Sequence, residues 1–211
     1  MKGQSIAIPA ADGGKFRGYL SLPRQGSGPG LVLCQEIFGV TAGIRELADL
    51  YAEEGYVVLA PDLFWRLQPG LELGEADVQQ AMGYAQRFDA KLGVQDIAAC
   101  VSALRDHPAC KGRIGVLGHC LGGRMAVLAA ASGAVDCAVS YYGVGIDGML
   151  EQVADSKVPM VMHFAGNDRL VKPEAVEKIR GHCRTSARLA ARRRGTARAR
   201  DRGNDRRRSR L

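Results

Sequence analysis

Two short alternating stretches open the chain. SIAIP and KFRGYLSLP place apolar and polar residues in turn on either side of AADGG, the period-two pattern of an antiparallel hairpin. From residue 31 the pattern changes. LVLC, residues 31–34, is a short apolar run between turn-type flanks and reads as a buried strand. QEIFGVTAG follows as a loop. IRELADLYAEEG, residues 44–55, carries Ile44, Leu47, Leu50 and Tyr51 at helical spacing and closes on Gly55. YVVLAPD, residues 56–62, is a strand that stops at Pro61, and residues 63–75 are a loop with turn signals. Residues 76–88 are expected to be helical. KLGVQDIAACVSALRDHP is a stronger helix, with Val94, Ile97, Val101 and Leu104 on one face and Pro108 beyond its end. RIGVLG, DCAVSYYG and VPMVMHFAG are further strands. CLGGRMAVLAAAS is a helix, and PEAVEKIR opens another with Pro173 near its first turn.

Strands alternating with helices predict an α/β fold: a mostly parallel sheet flanked by helices. In such sheets, catalytic groups gather beyond the carboxyl ends of the strands. Cys120, the Gln35–Glu36–Ile37 loop and Asp168 all fall just after predicted strands.

The pattern stops near residue 184. RTSARLAARRRGTARARDRGNDRRRSRL has no apolar period and few large apolar side chains, so it cannot offset its ordering entropy by burial. Residues 1–180 are therefore expected to form one domain, residues 181–211 an Arg-rich disordered tail, with no strand after residue 180.

Composition sharpens this division. The formal net charge of +7 hides two unlike parts. Residues 1–179 carry 16 basic and 20 acidic side chains, while residues 180–211 carry 13 arginines and two aspartates. The apolar share of 46% suits a globular domain, and no stretch has the length of a membrane span. The N-terminus shows no apolar core of a signal peptide, so a cytoplasmic location is expected. The six cysteines form no C-x-x-C pair and no Cys/His cluster with zinc spacing. Most of them read as small core residues, and no disulfide framework or metal site is expected.

One cysteine stands apart. GHCLGG, residues 118–123, has the spacing Gly118-x-Cys120-x-Gly122 between a strand and a helix. That is the nucleophile-elbow pattern G-x-S-x-G with sulfur in place of the hydroxyl. The turn is so tight that flanking side chains collide, which calls for glycine. The nucleophile then sits at a helix N-terminus, which favours a thiolate. The amide of Leu121 points back toward an attacked carbonyl, as an oxyanion donor should. His119, inside the elbow, is expected to face the protein interior, and His163 to lie within a strand. Arg124 and Arg169 could hold a carboxylate but read first as surface cations.

GHCLGG, QEIFG (35–39), APDLF (60–64) and AGNDRLV together resemble the dienelactone hydrolase family of the α/β-hydrolase superfamily. The likeness runs from the first strands to about residue 180. It implies a compact α/β-hydrolase fold and hydrolysis of a small lactone or ester through a cysteine acyl-enzyme, as in aromatic compound degradation. No metal or organic cofactor is implied, and a monomer is expected. By the same resemblance Cys120 matches the nucleophile and Asp168 the acid that orients a histidine. Glu36 matches the glutamate that holds the resting thiol. The backbone amides of Ile37 and Leu121 match the oxyanion hole.

The base is what the sequence lacks. The family's histidine lies in a Gly-His loop after one more helix and strand. His182 stands only 14 positions after Asp168, inside a predicted helix, and the role is not carried over to it. Arginine-rich text replaces the last strand, the histidine loop and the closing helix. Two accounts compete. A genuine basic arm would bind nucleic acid and would suit a non-catalytic binding protein of this fold. A reading-frame change near residue 180 is favoured, because the tail begins inside a helix and substitutes for core elements. On either account the hydrolase is expected to be impaired as written.

Overall fold

The computed structural model describes residues 2–182 and the backbone of residues 187–191. Its centre is an eight-stranded sheet of order β1-β2-β4-β3-β5-β6-β7-β8. Strands β1 (Gln4–Pro9) and β2 (Lys15–Ser21) form the expected hairpin, and β2 runs antiparallel to β4 (Val57–Pro61). The hairpin turns through Gly13, at φ 87°, where Ala10 N–H donates to the Gly14 carbonyl at 2.9 Å. From β4 onward every pairing is parallel, through β3 (Gly28–Cys34), β5 (Cys110–His119), β6 (Cys137–Tyr141) and β7 (Met160–Phe164).

Strand periodicity divides the core. Val32 and Cys34 on β3 and Val57 and Leu59 on β4 face one helical layer, while Leu31, Leu33, Val58 and Ala60 face the other. Both sets are buried, which is why these strands read as unbroken apolar runs. The first layer holds α3 (Ala90–Asp106) and α4 (Leu121–Ala131), with α5 (Leu150–Val153) and α6 (Pro173–His182) completing it. On the opposite face, α1 (Ala42–Glu53) supplies Ile44, Ala48 and Ala52. The remaining helix, α2 (Val78–Arg87), brackets the 63–75 loop.

Helix ends follow local chemistry. Thr41 caps α1, its hydroxyl accepting from Ile44 N–H, and Asp89 caps α3 by accepting from Lys91 and Leu92 N–H at 2.8 and 3.1 Å. In α4 every residue from Leu121 to Ala130 except Arg124 is buried. Packing on all sides makes it the central helix of the layer.

One expectation fails. A strand does follow residue 180: β8 (Ala187–Ala191) lies parallel to β7, with Met160 opposite Ala187 and Phe164 opposite Ala191. The sequence criterion weighed side-chain burial, whereas a ladder is built from main-chain groups. The outer edge of β7 offers an unpaired row of donors and acceptors to any chain that reaches it. The terminal strand of the sheet is thus present, not missing. The expected disorder of the Arg-rich tail, its frame-change account and the closing helix concern residues 183–186 and 192–211, which lie outside the described residues. Short α5 was not legible in the sequence pattern, being four residues long.

Candidate active site

The elbow is set by two glycines and their backbone neighbours. A Cβ on Gly118 would lie 2.2 Å from the carbonyl carbon of Gly122. One on Gly122 would lie 2.4 Å from the Cys34 carbonyl oxygen and 2.5 Å from that of Gln35. No side-chain adjustment relieves a clash with backbone, so only glycine fits at either position. Between them Cys120 takes φ 54°, ψ −114°, a conformation L residues rarely adopt. Such strain persists only where the surroundings over-determine it. Here Cys120 N–H donates to the Tyr141 carbonyl at 3.0 Å, and its own carbonyl accepts from Arg124 N–H at 3.1 Å. The thiol is half-buried at the N-terminus of α4.

The Glu36 loop lies against this turn. It is closed by a bridge from Glu36 to Gly39 and tied to the 63–75 segment by one from Gly39 to Glu72. Buried Gln35 braces it, with Leu63 N–H donating to Oε1 at 3.0 Å. Ile37 packs against a small cluster of Phe64, Leu71 and Leu121, so the two expected oxyanion-hole residues share one apolar cluster.

Charge completes the picture. Burial is the main force on the Cys120 thiol and pushes its pKa up. The Leu121 amide, hydrogen-bonded to the sulfur, pulls the other way. Glu36 and Asp168 add to the rise, and Arg124 counters it. Burial also raises the Glu36 carboxyl, opposed by a hydrogen bond from Tyr142. Leu121, Glu36 and Asp168 all lie within electrostatic reach of the Cys120 thiol at the carboxyl edge of the sheet. Asp168 also does local work. Its Oδ1 accepts from Leu170 and Val171 N–H at 2.7 and 3.0 Å, closing its own turn.

The dienelactone hydrolase family model matches residues 16–190. The chain belongs to the dienelactone hydrolase family. It is 41% identical over 179 residues to a carboxymethylenebutenolidase of Pseudomonas sp., covering 83% of this chain and 75% of that protein. A carboxymethylenebutenolidase of Cupriavidus pinatubonensis is 36% identical over 186 residues, covering 86% and 79%. The crystal structure of a dienelactone hydrolase from Anabaena variabilis superposes with a TM-score of 0.68 at 22% identity, over 92% of this chain and 88% of that one. The α/β-hydrolase fold and hydrolase class of the family are thus shared.

Among the described residues no histidine is hydrogen-bonded to Cys120 or Asp168. His107 accepts from Ala109 N–H in a turn. His119 stacks on Tyr141, with ring centroids 5.0 Å apart, and Tyr141 stacks on His163 at 4.6 Å, across register pairs of β5, β6 and β7. Burial lowers the His119 pKa. His182 sits exposed at the end of α6, its Nδ1 paired with the Lys178 carbonyl at 2.8 Å one turn back. Among the described residues no cluster could hold a metal, and no helix is long and apolar enough to cross a membrane.

Two residues near the site differ from the sequence reading. Arg124 is not a surface cation. It is half-buried beside the elbow, with Nε buried and unpartnered among the described residues. Tyr142 was read as the end of a strand. It lies just past β6 at φ 41°, and its phenol interacts with Glu36, Cys120 and Asp168 together. The Tyr-Tyr-Gly run after an apolar strand was the only available signal.

Proposed function

We propose that the protein hydrolyses a small enol-lactone or ester of the carboxymethylenebutenolide type through Cys120, with slow turnover as the chain stands. The backbone of Cys120 carries the reading. A strained residue held between two obligatory glycines, at a strand-to-helix turn, is how a nucleophile is presented above a sheet edge.

The substrate carbonyl sits between the Cys120 sulfur and the amides of Ile37 and Leu121. Glu36, made more basic by burial, takes the thiol proton and swings aside. The thiolate adds to the carbonyl, and the two amides hold the oxyanion. Collapse breaks the ring C–O bond and leaves a thioester on Cys120, and the enolate released takes up the proton held by Glu36. Water then attacks the thioester, releasing the acid and restoring the thiol. Asp168 stands where the family's acid orients a histidine, yet here it faces none. Loss of that base costs on the order of 10²–10⁴-fold. Thiol acylation tolerates the loss better than thioester hydrolysis does, because sulfur is the stronger nucleophile.

The test is mass spectrometry of the protein mixed with an enol-lactone, beside iodoacetamide labelling of the folded chain. The expected result is stoichiometric acylation of Cys120, faster than steady-state release, and selective alkylation of Cys120 over the buried thiols. Ester turnover retained by Cys120→Ala, or labelling that shows no preference for Cys120, would overturn the reading.

A further inference from the structure

Asp96 is a carboxylate within α3, only 1% exposed, and the hydrolysis described above makes no use of it. Burying a charge is costly unless donors meet it. Here both oxygens are met by consecutive residues of one loop. Trp65 Nε1–H donates to Oδ2 at 2.9 Å, and the Arg66 guanidinium donates to Oδ1 at 2.9 Å. Arg66 lies over the Trp65 ring, 4.1 Å from its centroid, and also pairs with Asp12 in the hairpin turn. Trp65 stacks on Phe16 of β2, with ring centroids 5.5 Å apart and planes 16° apart. Three elements thus hold one dipeptide: α3, β2 and the hairpin turn. The residue before it belongs to the site. Phe64 shares with Leu71 and Leu121 the apolar cluster against which Ile37 packs. The same loop is bonded to the Gln35–Glu36–Ile37 segment and its continuation. Leu63 N–H donates to Gln35 Oε1 at 3.0 Å, and Leu73 N–H to the Phe38 carbonyl at 2.9 Å. Asp62 closes the loop on itself, accepting from Phe64 and Gly70 N–H at 3.1 and 2.7 Å. Residues 62–73 therefore form one braced piece, with the expected oxyanion hole on one side and Asp96 on the other.

We propose that Asp96 is a positioning residue for the oxyanion hole: by clamping Trp65 and Arg66 it fixes the 62–73 loop, which sets the Ile37 amide relative to that of Leu121. The proposal rests on Cys120 being the nucleophile and on these two amides receiving the oxyanion. Asp96 acts only through the loop. A carboxylate suits the task, because two donors need two acceptor oxygens and Arg66 needs a counter-charge. Asp96→Asn would keep one acceptor oxygen and set an NH2 group against the other donor. The clamp would then loosen on one side while the apolar packing of the loop remains. An amide aimed at a developing charge loses its effect steeply with distance, and a shift of about 1 Å can cost on the order of 10²-fold in rate.

The experiment compares two reactions of one sulfur in the full chain, both followed by mass spectrometry. Acylation by an enol-lactone builds an oxyanion on the attacked carbonyl. Alkylation by iodoacetamide displaces iodide and builds none. In Asp96→Asn, acylation at saturating lactone should fall about tenfold, while alkylation of Cys120 should not slow. Trp65→Phe removes the indole donor and keeps the stack on Phe16. It should lower acylation in the same selective way, by a smaller factor. In the double variant the combined loss should fall short of the product of the two, since both break one clamp. A buried acid with a merely structural role would lower the denaturation midpoint and leave the ratio of acylation to alkylation unchanged. That unchanged ratio, in variants of a chain that does acylate, overturns the positioning role alone. A wild-type chain whose Cys120 is alkylated but never acylated overturns the function, and with it the role that rests on it. Should Asp96→Asn not fold, the ratio in Trp65→Phe decides by the same rule.

Discussion

The two ends of the site are built in different ways. At the elbow, Gly118, Cys120 and Gly122 are held by backbone against backbone, with the Cys34 and Gln35 carbonyls packed onto Gly122. At the acid end, Asp168 sits in a half-exposed loop held by two hydrogen bonds to its own turn, beside exposed Leu170. The cover differs too. The elbow lies under the fully packed α4, while α1 is the one helix described on the opposite face of the sheet, over β3 and β4. Val139, Tyr141, Val161 and His163 on that face, toward β8, stay only partly buried. Cys120 is therefore fixed by the core of the fold, and Asp168 by a local turn.

The largest expected effect breaks the elbow. Gly122→Ala forces a methyl into two backbone carbonyls and should cost about 3 kcal/mol or more of stability, read as a lower denaturation midpoint. A well-folded Gly122→Ala chain with selective Cys120 labelling would show that the two ends are equally pliant. A smaller effect reads the strain directly. Cys120→Gly relieves a backbone conformation worth about 1–3 kcal/mol, whereas Cys120→Ala keeps it. Chemical denaturation should find the glycine variant more stable than the alanine variant by about 1 kcal/mol, a gain visible only after the nucleophile is given up.

The Glu36 loop lies between these extremes, and pH separates its contribution. Burial raises the Glu36 pKa in the folded chain. A carboxyl raised on folding binds its proton more tightly in the native state. Its stabilising contribution is complete below the unfolded pKa and is lost as pH rises through the folded one. Glu36→Gln should therefore match the wild type near pH 4 and exceed it at neutral pH in thermal melts. The same change removes the carboxylate that takes the thiol proton, so Cys120 alkylation near pH 8 should slow. Faster alkylation in Glu36→Gln would mean that the carboxylate acts on the thiol mainly by opposing its negative charge.

The contrast also explains what the sequence revealed. Elbow geometry follows from glycine spacing, which is local, and the strand and helix around it have clear periods. Gly118, Cys120 and Gly122 were legible for that reason, and so was the parallel sheet. Tyr142 was not, because nothing in YYG tells which ring turns toward a loop 106 residues earlier. Arg124 looked like a surface cation because the helix pattern does not say that α4 is covered on every side. The last strand was hidden by its composition: ARLAA lies in arginine-rich text, and the ladder to β7 uses atoms every residue owns.

The smallest effect tests the acid end. Asp168→Asn leaves an oxygen that can still accept from the Leu170 and Val171 amides, so the turn should survive. Stability should change by less than about 0.5 kcal/mol, within the range of surface substitutions. In the family the aspartate acts through a histidine, and in this chain no histidine faces it. Asp168→Asn should then leave Cys120 acylation nearly unchanged, or raise it slightly, since Asp168 opposes the thiolate. A clear fall in acylation rate would show that Asp168 supports a base after all. The acid end would then be a working half of the site, coupled to the elbow through a group not among those placed around Cys120.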